Sequence, residues 1–318
     1  MQPCSFRFHN LPTETLDLPD ELTRALYAGT PDPKMVEQVR RFGLQQPLPV
    51  VCREDGCFHL LAGFALLGAL RTLAIPEVCC QVLEHGASPQ KYFALQLFHG
   101  LSTVRSSLVL QANLLRQAVQ TLPEKEVLPL LPLMGQKPHR HTLKKLLAVL
   151  NLDPTVLHAL HSGVLAARTI QYLNRLAPAD QQALVACITT YRAGGSKQQK
   201  LAETVTELAL LTNTPVADLL HACQSRVSGA DPHNLPQQLQ QLLANLQEQH
   251  APAQTAAEQQ FQQTIQSLQP PPGITIQHCP SFEDDSLTVH LHFPSLESLR
   301  QCWPAITALP LGKQPPDP

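Results

Sequence analysis

Charge, aromatic rings and ordered metal-ligand spacing are all scarce in this chain. Charged residues make up 15% of its 318 residues and aromatic ones 5%, with a single tryptophan. No apolar run exceeds Leu60 to Leu70, about half the ~20 residues that a membrane-spanning helix needs, so no transmembrane helix is expected. The start, Met1-Gln2-Pro3-Cys4-Ser5-Phe6-Arg7, has neither the basic opening nor the apolar stretch of an export signal, which points to the cytoplasm. Nine cysteines are scattered without any Cys-x-x-Cys spacing, the pattern of reduced thiols rather than of a disulfide framework. Cys79 and Cys80 are adjacent on a predicted strand and point to opposite faces; His139 and His141 lack a companion ligand. No metal site and no cofactor are expected. No paired carboxylates suggest acid–base chemistry either.

What is abundant is apolar residues, at 43%, and 29 prolines, which together suggest two cores and several short units joined by stiff links. Net charge is −2, unevenly spread. Residues 121–230 carry eleven Lys/Arg against seven Asp/Glu, whereas residues 231–318 carry two against eight. The middle is basic and the tail acidic, so attraction to nucleic acid must come from local clustering of charge.

Leu48-Pro49-Val50-Val51-Cys52, a turn at Glu54-Asp55-Gly56 and a run from Cys57 to Leu61 read as a β-hairpin. Gly63 opens a helix that ends at Ile75-Pro76, and Val78 to Leu83 reads as another strand. This strand, strand, helix, strand order resembles the N-terminal domain of ParB chromosome-partition proteins, related in fold to sulfiredoxin. Gly43-Leu44-Gln45-Gln46-Pro47-Leu48 sits where that family has Gly-Leu-Leu-Gln-Pro-Leu, and Leu61-Ala62-Gly63 where it has Ile-Ala-Gly. The resemblance covers at least residues 35–119 and implies a bacterial, chromosome-associated protein.

The resemblance also marks what is missing. In the family the glycine is followed by Glu-Arg-Arg and a further Arg that bind the CTP triphosphate; after Gly63 this chain has Phe64, Ala65, Leu66 and Gly68 at those places. A second contact set, an Asn with flanking Glu and following Arg, falls on Phe98-His99-Gly100-Leu101-Ser102-Thr103, where neither Asn nor Arg remains. A helix N-terminus alone offsets only part of a triphosphate's charge, so CTP binding is not expected. The sulfiredoxin nucleophile would fall at Phe64, which leaves no thiolate there.

Helices are expected at Lys91 to Phe98 and at Leu108 to Val119, the latter with Leu108, Ala112, Leu115 and Val119 on one face. Residues 124–152 occupy the family's helix-turn-helix position: a first helix interrupted by Pro129 and Pro132, a turn at Gly135, and an amphipathic helix from His139 to Leu150. Its exposed side carries Lys137, Arg140, His141, Lys144 and Lys145, the geometry of a recognition helix. The alternative is a solvated helix face. Replacing Arg140 and Lys144 with Ala is expected to flatten the salt dependence of DNA binding by about two units. Ser162 to Arg168 resembles a family segment that supports DNA-site binding, with Arg168 the charged match; a structural ion pair is the simpler reading of that arginine.

Further helices are expected at Pro154 to His161, Ala166 to Leu176, Ala179 to Tyr191, Lys197 to Leu211 and from Pro215 to near Cys223. Two glutamine-rich helices follow, separated by Ala251-Pro252. Beyond Pro270-Pro271-Pro272-Gly273, two strands around Glu283-Asp284-Asp285 and a helix from Ser295 to Leu309 form a β-β-α unit too small to stand alone. His278, His290 and His292 on its strands read as exposed residues rather than metal ligands.

The expected class is α+β, in four parts: a ParB/sulfiredoxin-like domain (1–88), a helical domain holding the helix-turn-helix-like unit (89–230), a Gln-rich linker (231–269) and a β-β-α association module (270–318). The expected function is non-enzymatic DNA or chromosome binding as a homodimer. The alternative is a protein-interaction scaffold that docks a partner on the apolar helix from Phe64 to Leu70.

Overall fold

A computed structural model describes residues 6–52, 57–83, 89–227, 234–279 and 286–307. The hairpin turn at 54–56, the acidic turn at 283–285 and residues 308–309 lie outside these. Contacts divide the chain into two compact units, residues 1–206 with 215–220, and residues 207–214 with 221–318. The class is α+β.

The first unit begins with a five-stranded sheet of β1 (Phe6–Pro12), β2 (Leu16–Asp17), β3 (Leu48–Cys52), β4 (Phe58–Leu60) and β5 (Glu77–Leu83), in the order β1-β5-β3-β4-β2. β3 and β4 form the expected antiparallel hairpin, with Val50 opposite Leu60, and β5 runs parallel to β3 on its other side. β1 was not legible in the sequence. It is an edge strand paired only with β5, its central residues are exposed, and so it has no apolar alternation to betray it.

Helices α1 (Glu21–Leu26) and α2 (Pro33–Phe42) precede β3, each started by an aspartate, Asp20 or Asp32, that accepts a first-turn N–H. Helix α3 (Phe64–Thr72) follows β4. Its start requires Gly63, which has φ +79°; a Cβ there would also lie 3.0 Å from Leu48 Cδ2. Phe64, Leu67, Ala69 and Leu70 of α3 are buried with Leu48, Val50 and Leu60 of the sheet. The apolar side of α3 is therefore committed to the core, and the expected docking surface on that helix is not there.

Then come α4 (Pro89–Ser106), α5 (Leu108–Thr121), α6 (Glu124–Val127), α7 (Leu130–Leu133), α8 (Arg140–Ala148) and α9 (Pro154–His161). After them lie α10 (Ile170–Leu173), α11 (Pro178–Thr190), α12 (Gly195–Thr212) and α13 (Val216–Ser225). Helix α5 is buried along most of its length, but Val119 is exposed while Ala118 is fully buried, so its core face is rotated from the expected one. The helix expected from Ala166 to Leu176 is a 3-10 turn, Ala167–Thr169, followed by the short α10.

Two contacts seat the sheet layer on the helical layer within this unit. Asp20 accepts hydrogen bonds from Asn113 Nδ2 at 2.9 Å and Gln117 Nε2 at 2.9 Å, both on α5, besides capping α1 through Thr23. The Tyr27 ring stands edge-on to Phe64 (5.8 Å) and to His161 (5.0 Å). His161 Nδ1 lies 2.9 Å from Ser107 Oγ, which also accepts the Leu110 N–H at the start of α5. Burial, and then His158, hold the His161 imidazole below its usual range.

The second unit contains α14 (Leu235–His250), α15 (Pro252–Leu268), a hairpin of β6 (Ile274–His278) and β7 (Leu287–Leu291), and α16 (Leu296–Thr307). Leu239, Leu242 and Leu246 of α14 are buried. His278 is not the exposed residue expected: its Nε2 is 2.6 Å from Glu258 Oε2 and its ring 4.6 Å from Phe261, which ties β6 to α15. By contrast Leu287, Val289, Leu291, Leu296 and Trp303 are all exposed. Among the described residues no helix is long and apolar enough to cross a membrane, and no cluster of three metal-ligating side chains occurs.

Candidate nucleic-acid interface

The first helix of the expected helix-turn-helix is two four-residue pieces, α6 and α7, with Pro129 between them and Pro132 inside α7. The pieces are nonetheless well seated. Val127 and Leu131 are fully buried and Met134 nearly so. Gly135, at φ +78°, turns the chain toward α8. The turn is fastened to α5 by two amide contacts, Gln136 Nε2 to Gln111 Oε1 at 2.9 Å and Gln111 Nε2 to the Met134 carbonyl at 3.5 Å. A broken first helix thus still presents the second one at a fixed place.

Helix α8 packs on α5 through Leu143 and Leu146, which leaves Lys137, His139, Arg140, His141, Lys144 and Lys145 exposed on its other side. Three of the sequence-selected residues meet at one groove. His141 and Lys145 line one wall and Arg168, from the 3-10 turn before α10, lines the other, around a volume of about 430 Å³. Leu108, Leu146, Val149 and Ile170 supply apolar lining. Lys137, Arg140 and Lys144 lie outside the groove, on the adjoining open face.

Arg168 has no carboxylate partner among the described residues, against the structural ion pair that was the simpler reading. The same holds for Lys137, Lys144 and Lys145. Arg140 alone is paired: its Nε lies 2.5 Å from Glu124 Oε1 at the start of α6. Sequence reasoning missed Glu124, and it missed the amides of Gln136, Gln171 and Asn174 on the groove walls. Amide side chains are the type that hydrogen-bonds base edges. Nothing in a linear reading marks them, because only the fold brings residues 136, 145, 168 and 174 together.

A second cleft lies at the positions that the resemblance sets against the family's nucleotide motif. It encloses about 480 Å³ between Phe8, the stretch Gln46 to Pro49, Ala62, Gly63, Leu66, Gln81 and His99. Of the five motif positions Gly63 and Leu66 line it, whereas Phe64 is buried in the core and a Cβ on Gly68 would lie 3.5 Å from Pro31 Cβ. Ala65 is half-buried beside them. Among the described residues its lining contains no lysine, arginine, aspartate or glutamate. His99, the titratable group among the described lining residues, is held below its usual range by burial. The side chains of Leu101 to Thr103 lie outside the described residues.

No family model matches the chain, and no curated protein matches it. Solved structures do. The C-terminally truncated chromosome-partitioning protein ParB from Caulobacter crescentus, complexed to the centromeric parS site, is 16% identical, with 61% of this chain and 98% of that one covered at a TM-score of 0.31. The same truncated ParB complexed with CTP-gamma-S is also 16% identical, covering 57% and 99% at a TM-score of 0.24. A Pnob8-like ParB-N domain is 12% identical, covering 77% and 99% at a TM-score of 0.31. Scores this low leave function to the side chains.

Proposed function

We propose that this is a non-enzymatic, ParB-like DNA-binding protein of the cytoplasm, associated with the chromosome, that holds duplex DNA without a nucleotide cofactor. Lys137, Arg140 and Lys144 touch phosphates from the open face of α8, while His141, Lys145 and Arg168 grip the backbone from the two walls of the groove. The observation that carries this reading is the convergence of Lys145 and Arg168 on one groove, with neither cation neutralised by a carboxylate. A solvated helix face would not gather a second, sequence-distant cation opposite the first. The amides of Gln171 and Asn174 would read base edges there. Each phosphate neutralised releases counterions, so binding weakens steeply with salt.

The cleft beside Gly63 is read as serving no triphosphate, because none of the described residues lining it is a lysine or arginine. The exposed apolar residues of β7 and α16 support a homodimer joined through residues 270–318.

The test is fluorescence anisotropy of the full chain with a duplex of about 25 bp over a salt series. Lys145→Ala with Arg168→Ala is expected to weaken binding and flatten the logarithmic salt slope by about 1.8, at roughly 0.9 per phosphate contact. An unaltered slope in that variant removes the groove from the interface. Should the parent not bind DNA even at low salt, a protein scaffold replaces this reading, using a surface other than α3.

A further inference from the structure

Five cations stand on the proposed interface, and four of them have no carboxylate partner among the described residues. Arg140 differs. Glu124, the first residue of α6, sits 2.5 Å from its Nε, and both side chains are largely open to solvent, at 77% and 44% exposure. Arg140 is also the first residue of α8, where the helix N-terminus is itself partly positive and disfavours a cation. A carboxylate there satisfies the guanidinium in the absence of any other anion. A DNA phosphate approaching the start of α8 needs the same guanidinium edge, and carboxylate and phosphate compete for it with the same two-pronged geometry.

Resting on the DNA-binding reading above, we propose that Glu124 is an affinity-determining residue of this interface: an internal competitor that occupies Arg140 until a DNA phosphate displaces it. The exchange leaves a free carboxylate behind. Glu124 then gathers a cation from solution, which offsets the counterion that the phosphate gives up. The parent therefore shows a salt slope for four cations, Lys137, Lys144, Lys145 and Arg168, rather than five. It follows that replacing Arg140 and Lys144 together flattens the slope by about one unit, not by the two that the sequence suggests.

The test is Glu124→Gln in the full chain, measured with the same duplex and salt series, alone and combined with Arg140→Ala. The amide keeps the size and removes the charge, and a thermal melt checks the fold. Glu124→Gln is expected to tighten binding about two- to fivefold, the range an exposed pair of this kind is worth, and to steepen the slope by about 0.9. In the Arg140→Ala background the same change is expected to do nothing. An equal gain in both backgrounds overturns the exchange, because Glu124 would then act only through its general negative field. Binding by the parent with an unchanged Glu124→Gln variant overturns it while leaving the DNA reading intact; absence of DNA binding in both proteins overturns both.

Discussion

Asp20 is where the sheet layer and the helical layer of the first unit are joined, and removing its carboxylate puts a number on that junction. The side chain does three things at once. It accepts the Thr23 N–H at 3.0 Å as the cap of α1, it accepts the Thr23 hydroxyl at 2.7 Å, and it accepts the α5 amides of Asn113 and Gln117 at 2.9 Å each. Loss of a helix cap costs about 1 kcal/mol. Stranding the amide of Asn113, which is 3% exposed, costs a further ~1–3 kcal/mol, at the low end because Thr23 Oγ1 remains 3.2 Å away. Asp20→Ala should therefore destabilise the unit by about 2–4 kcal/mol. Asp20→Asn keeps a carbonyl oxygen for the cap but turns an NH2 group toward the Asn113 NH2, so it should lose only the α5 part, about 1–2 kcal/mol. Urea unfolding followed by tyrosine absorbance suits the measurement, since all four tyrosines lie within residues 1–206 and the single tryptophan, Trp303, lies in the other unit. A loss below about 0.5 kcal/mol for Asp20→Ala would refute the reasoning, as would full additivity of Asp20→Ala with Asn113→Ala.

Isothermal titration of the full chain with magnesium and CTP is expected to give no measurable heat of binding, given a cleft without cationic lining; micromolar affinity contradicts this directly. Truncation after Gln269 is expected to convert a dimer to a monomer in light scattering, because Leu287, Val289, Leu291 and Trp303 are exposed in the isolated chain. A full-length protein that is already monomeric at high concentration ends that proposal.

The hairpin of β3 and β4, helix α3 and strand β5 were legible because each is buried on one side or both, and burial writes an apolar pattern into the sequence. β1 and β2 were not, since an edge strand and a two-residue strand carry too little buried surface to leave one. Asp20, and Asp32 followed by Pro33, were available cap signals for α1 and α2 that the apolar pattern alone did not bring out. Around the basic helix the local chemistry could be read, including the prolines that break its predecessor. The groove could not, because Arg168 reaches Lys145 through the packing of a turn 23 residues further along. Nor could the Glu124–Arg140 pair, whose 16-residue separation matches no helical or strand period.

The packing of α3 limits where a charged side chain could be placed along that helix. An acid at position 64 would place a carboxylate where the Phe64 ring, 8% exposed, packs edge-on to Tyr27. A Cβ at position 68 would stand in ordinary van der Waals contact with Pro31, 3.5 Å from its Cβ. Ala65, Leu66 and Gly68 are half-buried, and a single arginine at any one of them offsets only part of a triphosphate's charge. No one substitution would therefore build a charged clamp on this helix, because the position nearest the core resists charge and each of the others adds too little of it.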